Sequence, residues 1–571
     1  MSSETATALE RKQNNWLTWL AVLLFAFGTI VRVWHSNEIS ANVAYEMEAA
    51  YRILQGQCPY SDFYFDQSLT VVCWRMLALM LAPLIALVSS SGSALADCFY
   101  NIKVIGLASV ITTVALSLFS FRFCWQIMDR FGRSAFKPDV RSLILLAMAI
   151  ANLSMGFEYG DQQHLFILLF LPYILLRWLS FEGARPTVFY KILVACLAAF
   201  GASFNPLFLL AFIAFEGGEA LARRSRTTAL QLMPFIFILA SGGFFLYLLY
   251  LPKAAHDALY GWILPLKLNG LSHDSYTFYG LTCTPECTTL FYIFVFVQIL
   301  AFGAVKRFQF YRPLATMALI GYCISLVLLI GFSADGLILN YFNAVLATME
   351  GYFAIFWLTA TYPRLFRRKK ELARILLVLC VSLAACGTLF AQEVSQRQLI
   401  KTGQVRLHPL NYKDLQDLAE GISKNSKQRD RILIINGKLR PAYPLLAQLE
   451  RSSCGYFMGS DALGTLADIR TARHFEEKAG TGEKTTQALE KRLYERLLVD
   501  IRNEKPELIC IEQGEPDAAL KLFKLQPVIN KLYDVINEAK FYTDRLGPRE
   551  LVDYNYNYSI YKLKSRPDNV P

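Results

Sequence analysis

The sequence predicts a polytopic α-helical membrane protein that continues into a soluble α/β domain, and three observations carry that prediction. Hydrophobic residues make up 54% of the 571 positions and charged residues 18%, with a mean hydropathy of +0.33. Several windows run for about 18 residues or more with almost no charge, the length needed to cross about 30 Å of hydrocarbon. Between those windows the basic residues are clustered, and in membrane proteins such clusters set orientation.

The apolar windows place eleven spans, at 16–35, 99–122, 142–157, 164–179, 189–204, 206–221, 229–251, 289–305, 313–332, 340–361 and 373–391. The first, "WLTWLAVLLFAFGTIVRVW" (16–34), has no small-residue cleavage site after it and reads as a retained helix. The segment 68–88 is also apolar but carries Arg75 and two apparent internal breaks. If it does not cross, and the N-terminus is cytoplasmic, six basic segments share one side. They are Arg11–Lys12, 129–141, 177–191, 223–226, 306–312 and 364–370. The positive-inside rule then holds throughout. Segment 68–88 is therefore expected as a re-entrant or surface-lying helix pair in the first external loop, 36–98. Non-helical backbone at that depth is tolerated only against protein or a watery cavity.

Two more external regions follow on this topology, 156–164 and 252–288. The region 1–391 is expected as the transmembrane domain and 392–571 as an external domain. In the latter, "RILIIN" (431–436) and "ELICIE" (507–512) are short branched apolar runs and read as buried strands. Stretches around 412–427, 441–452 and 484–501 read as helices, and the alternation suggests a small α/β domain. The alternating tail "DYNYNYSIYKLK" (553–564) reads as an edge strand.

Chemistry-bearing residues concentrate in the three external regions. The first loop holds Glu38, Glu46, Glu48, Asp62 and Asp66 among many aromatics. Residues 43–54 read as an amphipathic helix closed by Gly56. A solvated loop would also carry surface acids, but carboxylates at a lipid boundary are costly unless paired or used. The second region, "GFEYGDQQH", packs Glu158, Asp161 and His164 between two spans. Acids there also suit the start of the following helix, so an interfacial helix end is the plainer alternative. The third holds Lys253, His256 and Lys267, with His-Asp pairs at 256–257 and 273–274. That spacing fits no zinc pattern. The 12 cysteines are scattered; Cys283 and Cys287 could be bridged or free. No basic stripe on a soluble module points to nucleic acid.

The order of these features resembles a known family. "AAYRILQGQCPYSDFYFDQ" (49–67) resembles the first-loop pattern of the GT-C superfamily of membrane glycosyltransferases that use a polyprenyl-phosphate-linked sugar. "YGDQQHLFILLFLPYILLR" (159–177) is similar to the second-loop segment of one bacterial branch, and "GASFNPLFLLAFIAFEG" (201–217) to its next helix pair. The resemblance covers about residues 1–260 in sequence and the whole chain in layout. There are departures. Asn42-Val43 stands where the family carries an acidic pair, Ser68-Leu69 replaces Pro-Pro, Gln163 replaces a Glu, and Asn205 replaces a Lys.

The resemblance implies an inverting transfer of sugar from a lipid phosphate to a glycan, lipid or protein acceptor. The setting would be a bacterial inner membrane, with the site and the C-terminal domain on the periplasmic side. A carboxylate must deprotonate the acceptor hydroxyl, and cations or amide donors must stabilise the leaving phosphate. Glu46 or Asp66 is expected as base, with Asp161 and Glu158 behind them. Arg75, Lys253, His256 and Lys267 are expected on phosphate, and His164 on a carboxylate or the phosphate. Glu38 and Asp62 complete the expected substrate contacts. No metal ligand set is identified, and a divalent cation is left open as the one cofactor. Two rivals remain at this level: a transporter or flippase using the same acids as ion sites, and a non-catalytic membrane scaffold. The external clustering of the acids and the lack of a repeat weigh against the first; the departures favour the second.

Overall fold

A computed structural model describes residues 3–132 apart from 38 and 89–94, scattered positions between 141 and 152, and 159–266 apart from 182, 207 and 224–230. In the C-terminal region it describes 412–436, 442–458, 483–512, 525–539 and 558–564. The expected spans 289–305, 313–332, 340–361 and 373–391 lie outside the described residues, as does most of 142–157. The boundary at 391/392 and the pair Cys283–Cys287 lie outside them too.

The first helix, α1 (Ser3–Trp34), leads into the loop helix α2 (Ala41–Leu54). Ser40 starts α2: its Oγ accepts from the Val43 amide at 3.2 Å, satisfying one of the orphan donors of the first turn. Gln55 caps the other end and Gly56 follows at φ +85°, the left-handed conformation that glycine adopts without a Cβ penalty. The Gly56 end matches the sequence reading; the helix begins two residues before the expected 43, at a cap the sequence reading did not pick out. The loop after α2 folds inward. Phe63 and Phe65 are fully buried, and burial of each contributes about 1.5–3 kcal/mol.

Residues 68–88 depart from expectation. They form one continuous helix, α3 (Leu69–Val88), with Pro83 inside it, not a pair separated by breaks. One face is small and buried, with Ala78, Ala82 and Ala86 packed against its neighbours. The other exposes Leu77, Met80, Leu84 and Leu87. Close packing along the alanine face holds the helix together across the proline, whose missing N–H would otherwise favour a break. Arg75 lies on the buried side.

After the short α4 (Leu95–Phe99), α5 (Ile102–Phe131) packs on α3 and then on α6 (Gln162–Phe181). Next come α7 (Val188–Ala202), α8 (Phe208–Arg223) and α9 (Leu232–Phe245), with α7 between α6 and α9. Among the described residues, three helical segments are long and apolar enough to cross a membrane: Leu69–Val88, Ile102–Phe131 and Leu232–Tyr250. The chain is an integral membrane protein. Arg177 and Glu216 are both buried and join α6 to α8 through Nη2–Oε2 at 2.7 Å and Nε–Oε1 at 2.9 Å. Tyr173 donates to the same carboxylate at 2.7 Å. A charge pair at such a position is tolerated because each partner saturates the other. The chain then turns through a 3₁₀ segment, Leu246–Tyr250, into α10 (Lys253–Ala258).

The C-terminal region is α/β. Helix α11 (Tyr412–Asn425) precedes β1 (Arg431–Ile435); α12 (Ala442–Gln448), β2 (Ser452–Ser453), α13 (Glu483–Asn503) and β3 (Leu508–Glu512) follow. The last elements are α14 (Leu525–Leu532), β4 (Tyr533–Ala539) and β5 (Tyr558–Leu563). The sheet order is β2-β1-β3-β5-β4, with β1 parallel to β2 and β3, and β5 antiparallel to β3 and β4. The tail strand is thus not at the edge: β5 is inserted between β3 and β4. Tyr558 and Ile560 are fully buried, which its alternation reported correctly, while its position depended on a partner the tail itself does not reveal.

Candidate active site where the two polar loops meet

Helix α2 presents two acids to opposite sides, because residues two apart on a helix point about 200° apart. Glu46 faces the second loop. It is fully buried and meets Arg75, whose Nε and Nη2 each approach Oε2 at 2.6 Å. Arg75 Nη2 also donates to the Gly160 carbonyl at 2.7 Å. Gln162 Nε2 donates to Glu46 Oε1 at 2.8 Å and to Gln67 Oε1 at 2.6 Å. Burial pushes the Glu46 carboxyl above its ordinary value, opposed by the Arg75 charge and the Gln162 amide.

The second loop is fixed by equally specific bonds. Gly160 stands at φ +89°, and a Cβ there would lie 2.9 Å from Thr113 Oγ1. Asp161 is buried; its Oδ1 accepts from Ser40 Oγ, and Asn42 Nδ2 reaches its Oδ2 at 3.4 Å. His164 Nδ1 accepts from the Gly160 amide at 3.0 Å, and Nε2 lies 2.8 Å from Asn152 Oδ1. An amide oxygen only accepts, so the bonds assign the proton to Nε2. His164 therefore braces the loop, and among the described residues its ring nitrogens meet the Gly160 amide and Asn152 rather than a carboxylate.

Asp66 has a different environment. It is half-buried, and Tyr45 Oη reaches its Oδ1 at 3.4 Å and the Tyr64 carbonyl at 3.2 Å. The neighbouring Tyr60 is buried and hydrogen-bonds Tyr247, with Asp66 and Tyr260 in its electrostatic surroundings. Tyr247 Oη lies 3.4 Å from the Leu69 amide. On α10, Lys253 and His256 are exposed, and the His256 ring stands 4.5 Å from that of Tyr260. Asp66 is thus a half-buried carboxylate held by the Tyr45 phenol, with Tyr60 among the groups that feel its charge.

Glu48 faces the other way, into the C-terminal region. Its Oε1 accepts from Arg52 Nη2 at 3.1 Å and from the Ser453 amide at 3.0 Å, and Oε2 accepts from Tyr443 Oη. Arg52 in turn donates to the Gly455 and Ser453 carbonyls at 2.9 and 2.6 Å. Tyr443 also packs edge-on against Tyr45, with ring centroids 5.6 Å apart. The C-terminal region is therefore bonded directly to the helix that carries Glu46.

Of the residues picked from the sequence, Glu46, Asp66, Arg75, Asp161 and His164 lie together here. Glu38, Glu158 and Lys267 lie outside the described residues. Two of the residues picked already have protein partners. Arg75 was expected on phosphate; it is fully buried, with Nε and Nη2 on Glu46 and Gly160 and with Nη1 unpartnered among the described residues. Asp62 was expected on substrate; its Oδ2 accepts from the Cys58 amide at 2.7 Å and closes an exposed turn. Sequence reasoning missed Ser40, Gln67 and Gln162, which knit the loops together, and the phenols of Tyr45, Tyr60 and Tyr247. The adjacent amides of "GDQQH" were the available signal for Gln162. Among the described residues, no group of three or more His, Cys, Asp or Glu is placed to hold a metal ion.

No protein-family model matches the chain, and no curated protein matches it. The solved structures do. The apo crystal structure of ArnT from Cupriavidus metallidurans aligns over 94% of this chain and 97% of that one, at a TM-score of 0.50 and 12% identity. The fold is GT-C-like. The crystal structure of the same ArnT bound to undecaprenyl phosphate aligns over the same shares at a TM-score of 0.42 and 12% identity. The alignment spans both the helical region and the C-terminal sheet of this chain.

Proposed function

We propose that this chain is an inverting glycosyltransferase that moves a sugar from a polyprenyl-phosphate-linked donor to a cell-envelope acceptor. The observation that carries the reading is Asp66: a half-exposed carboxylate, braced by Tyr45, at the junction of two loops whose motifs resemble those of the GT-C superfamily. With α3 lying along the membrane surface rather than crossing, the basic clusters support eleven spans, with the site and residues 392–571 on the outer face of a bacterial inner membrane.

The chemistry follows from the environments. Asp66 takes the proton of the acceptor hydroxyl. The freed oxygen attacks the anomeric carbon from the face opposite the lipid phosphate. The bond to the phosphate oxygen breaks and the polyprenyl phosphate departs with that electron pair, so the configuration inverts. Lys253 and His256, with Lys267, offset the charge on the leaving phosphate. Glu46 is unsuited to be the base, since its carboxylate is saturated by Arg75 and Gln162; it sets the geometry of the loops. Asp161 supplies a carboxylate against Asn42, the position where the family carries an acid. The apolar face of α3 offers a wall along which the polyprenyl chain lies.

The test is Asp66→Asn in the purified full chain, assayed for consumption of a polyprenyl-phosphate sugar. A loss of about 10²–10⁴-fold with unchanged thermal stability is expected for a general base. Full activity would remove Asp66 from the role.

A further inference from the structure

A cavity of about 230 Å³ opens where three parts of the chain meet. Tyr60 lines it from the first loop, Ala254 and Ala258 from α10, Tyr456 from the segment after β2, and Arg492 and Arg496 from α13. It is not the Glu46–Asp161 cluster, but it shares Tyr60 with the surroundings of Asp66.

The two arginines are four residues apart and so share one face of α13. Arg496 is already engaged. Its guanidinium lies over the Tyr456 ring at 4.7 Å, and its Nε is 3.6 Å from Asp500 Oδ1. Arg492 is exposed at the cavity and forms no ion pair or hydrogen bond among the described residues. Tyr60 is held in a left-handed conformation, φ +70°, rare for a bulky side chain and typical of residues a site has over-determined. Its amide donates to the Phe63 carbonyl at 2.8 Å and its carbonyl accepts from Tyr456 Oη at 2.5 Å. Two phenol rings and a guanidinium unpaired among the described residues therefore line one small space.

We propose that this cavity is an acceptor subsite that binds a carboxylate-bearing sugar ring, with Arg492 forked onto the carboxylate and the Tyr60 and Tyr456 rings against the sugar. It rests on the glycosyl-transfer reading. Size selects one ring, since the volume falls below the roughly 300–1,000 Å³ of a drug-sized pocket. Charge selects a monoanion: two guanidiniums face the space and Asp500 offsets one. A phosphomonoester, at about −1.5 to −2 near neutrality, would leave charge unmatched. A planar guanidinium binds a carboxylate through two parallel bonds. Tyr60 is shared by the subsite and by the surroundings of Asp66.

Binding can be read without turnover. The full chain in detergent would be titrated with methyl glucuronide, methyl glucoside and glucose 1-phosphate, and followed by calorimetry or ligand-observed NMR. The glucuronide should bind at least about tenfold more tightly than the glucoside, roughly one charge-assisted bond. Arg492→Gln should erase that preference, Arg492→Lys should restore part of it, and Asp66→Asn should leave it intact. Equal binding of glucuronide and glucoside, tighter binding of the phosphate, no detectable glucuronide binding, or a preference that survives Arg492→Gln would overturn the subsite. If Asp66→Asn transfers normally while the glucuronide preference still tracks Arg492, the base assignment falls and the subsite stands.

Discussion

Removing Arg75 should destabilise the membrane domain more than most single substitutions, and the structure says by how much. Arg75→Met deletes the bonds to Glu46 Oε2 and the bond to the Gly160 carbonyl. Glu46 is fully buried and would keep one donor, Gln162. Breaking a buried pair by removing one partner costs about 3–5 kcal/mol, because the other charge is stranded. Glu46→Gln/Arg75→Met strands no charge, so it should cost about 2 kcal/mol less than the sum of the single variants. The assay is a denaturant or thermal unfolding series on the full chain in one detergent, with all four proteins of the double-mutant cycle. An Arg75→Met protein within about 0.5 kcal/mol of wild type, or additive single effects, would refute the ion pair as the brace of the two loops.

Gly160→Ala should destabilise by about 1–2 kcal/mol from its left-handed backbone alone, and the new Cβ meets Thr113 Oγ1 at 2.9 Å. Gly160→Ala/Thr113→Ala should recover the clash but not the backbone cost, a split readable in melting temperature. In the C-terminal region, burial raises the Asp500 carboxyl to about 6 from an ordinary 3.8. A raised acid favours the folded state most when protonated, so its contribution is complete below about pH 4 and is lost as pH rises through about 6. That gap is worth up to about 3 kcal/mol. Asp500→Asn, which can still accept from the Tyr456 amide, should therefore gain stability relative to wild type between pH 4 and 7. A pH-independent difference between the two would contradict the burial argument.

How far the sequence reaches is clearest residue by residue. Helix α2, with its Gly56 stop, is written in local chemistry, and so are the apolar cores of β1 and β3. Local chemistry does not report long-range partners. Arg75 reads as an available cation because its charge is visible in the sequence and Glu46, 29 residues earlier, is not marked as its counter-ion. Segment 68–88 reads as broken because the alanine face that packs α3 gives no signal of its neighbours. The tail reads as an edge strand because strand order is decided by β4, which precedes it. The convergence of the first and second loops followed from motif order, but the bonds that enforce it run through Ser40, Gln67 and Gln162. These are neutral side chains, with no charge to draw attention.

The central claim is transfer of sugar from a lipid phosphate with Asp66 as base. It is tested most directly by following sugar-labelled polyprenyl phosphates, across a panel of sugars, in membrane vesicles carrying wild-type or Asp66→Asn protein. One donor should be consumed and its label incorporated into envelope material by wild type, with a loss of at least about 100-fold in Asp66→Asn. Equal incorporation by both proteins, or no consumption of any donor by wild type, would contradict it.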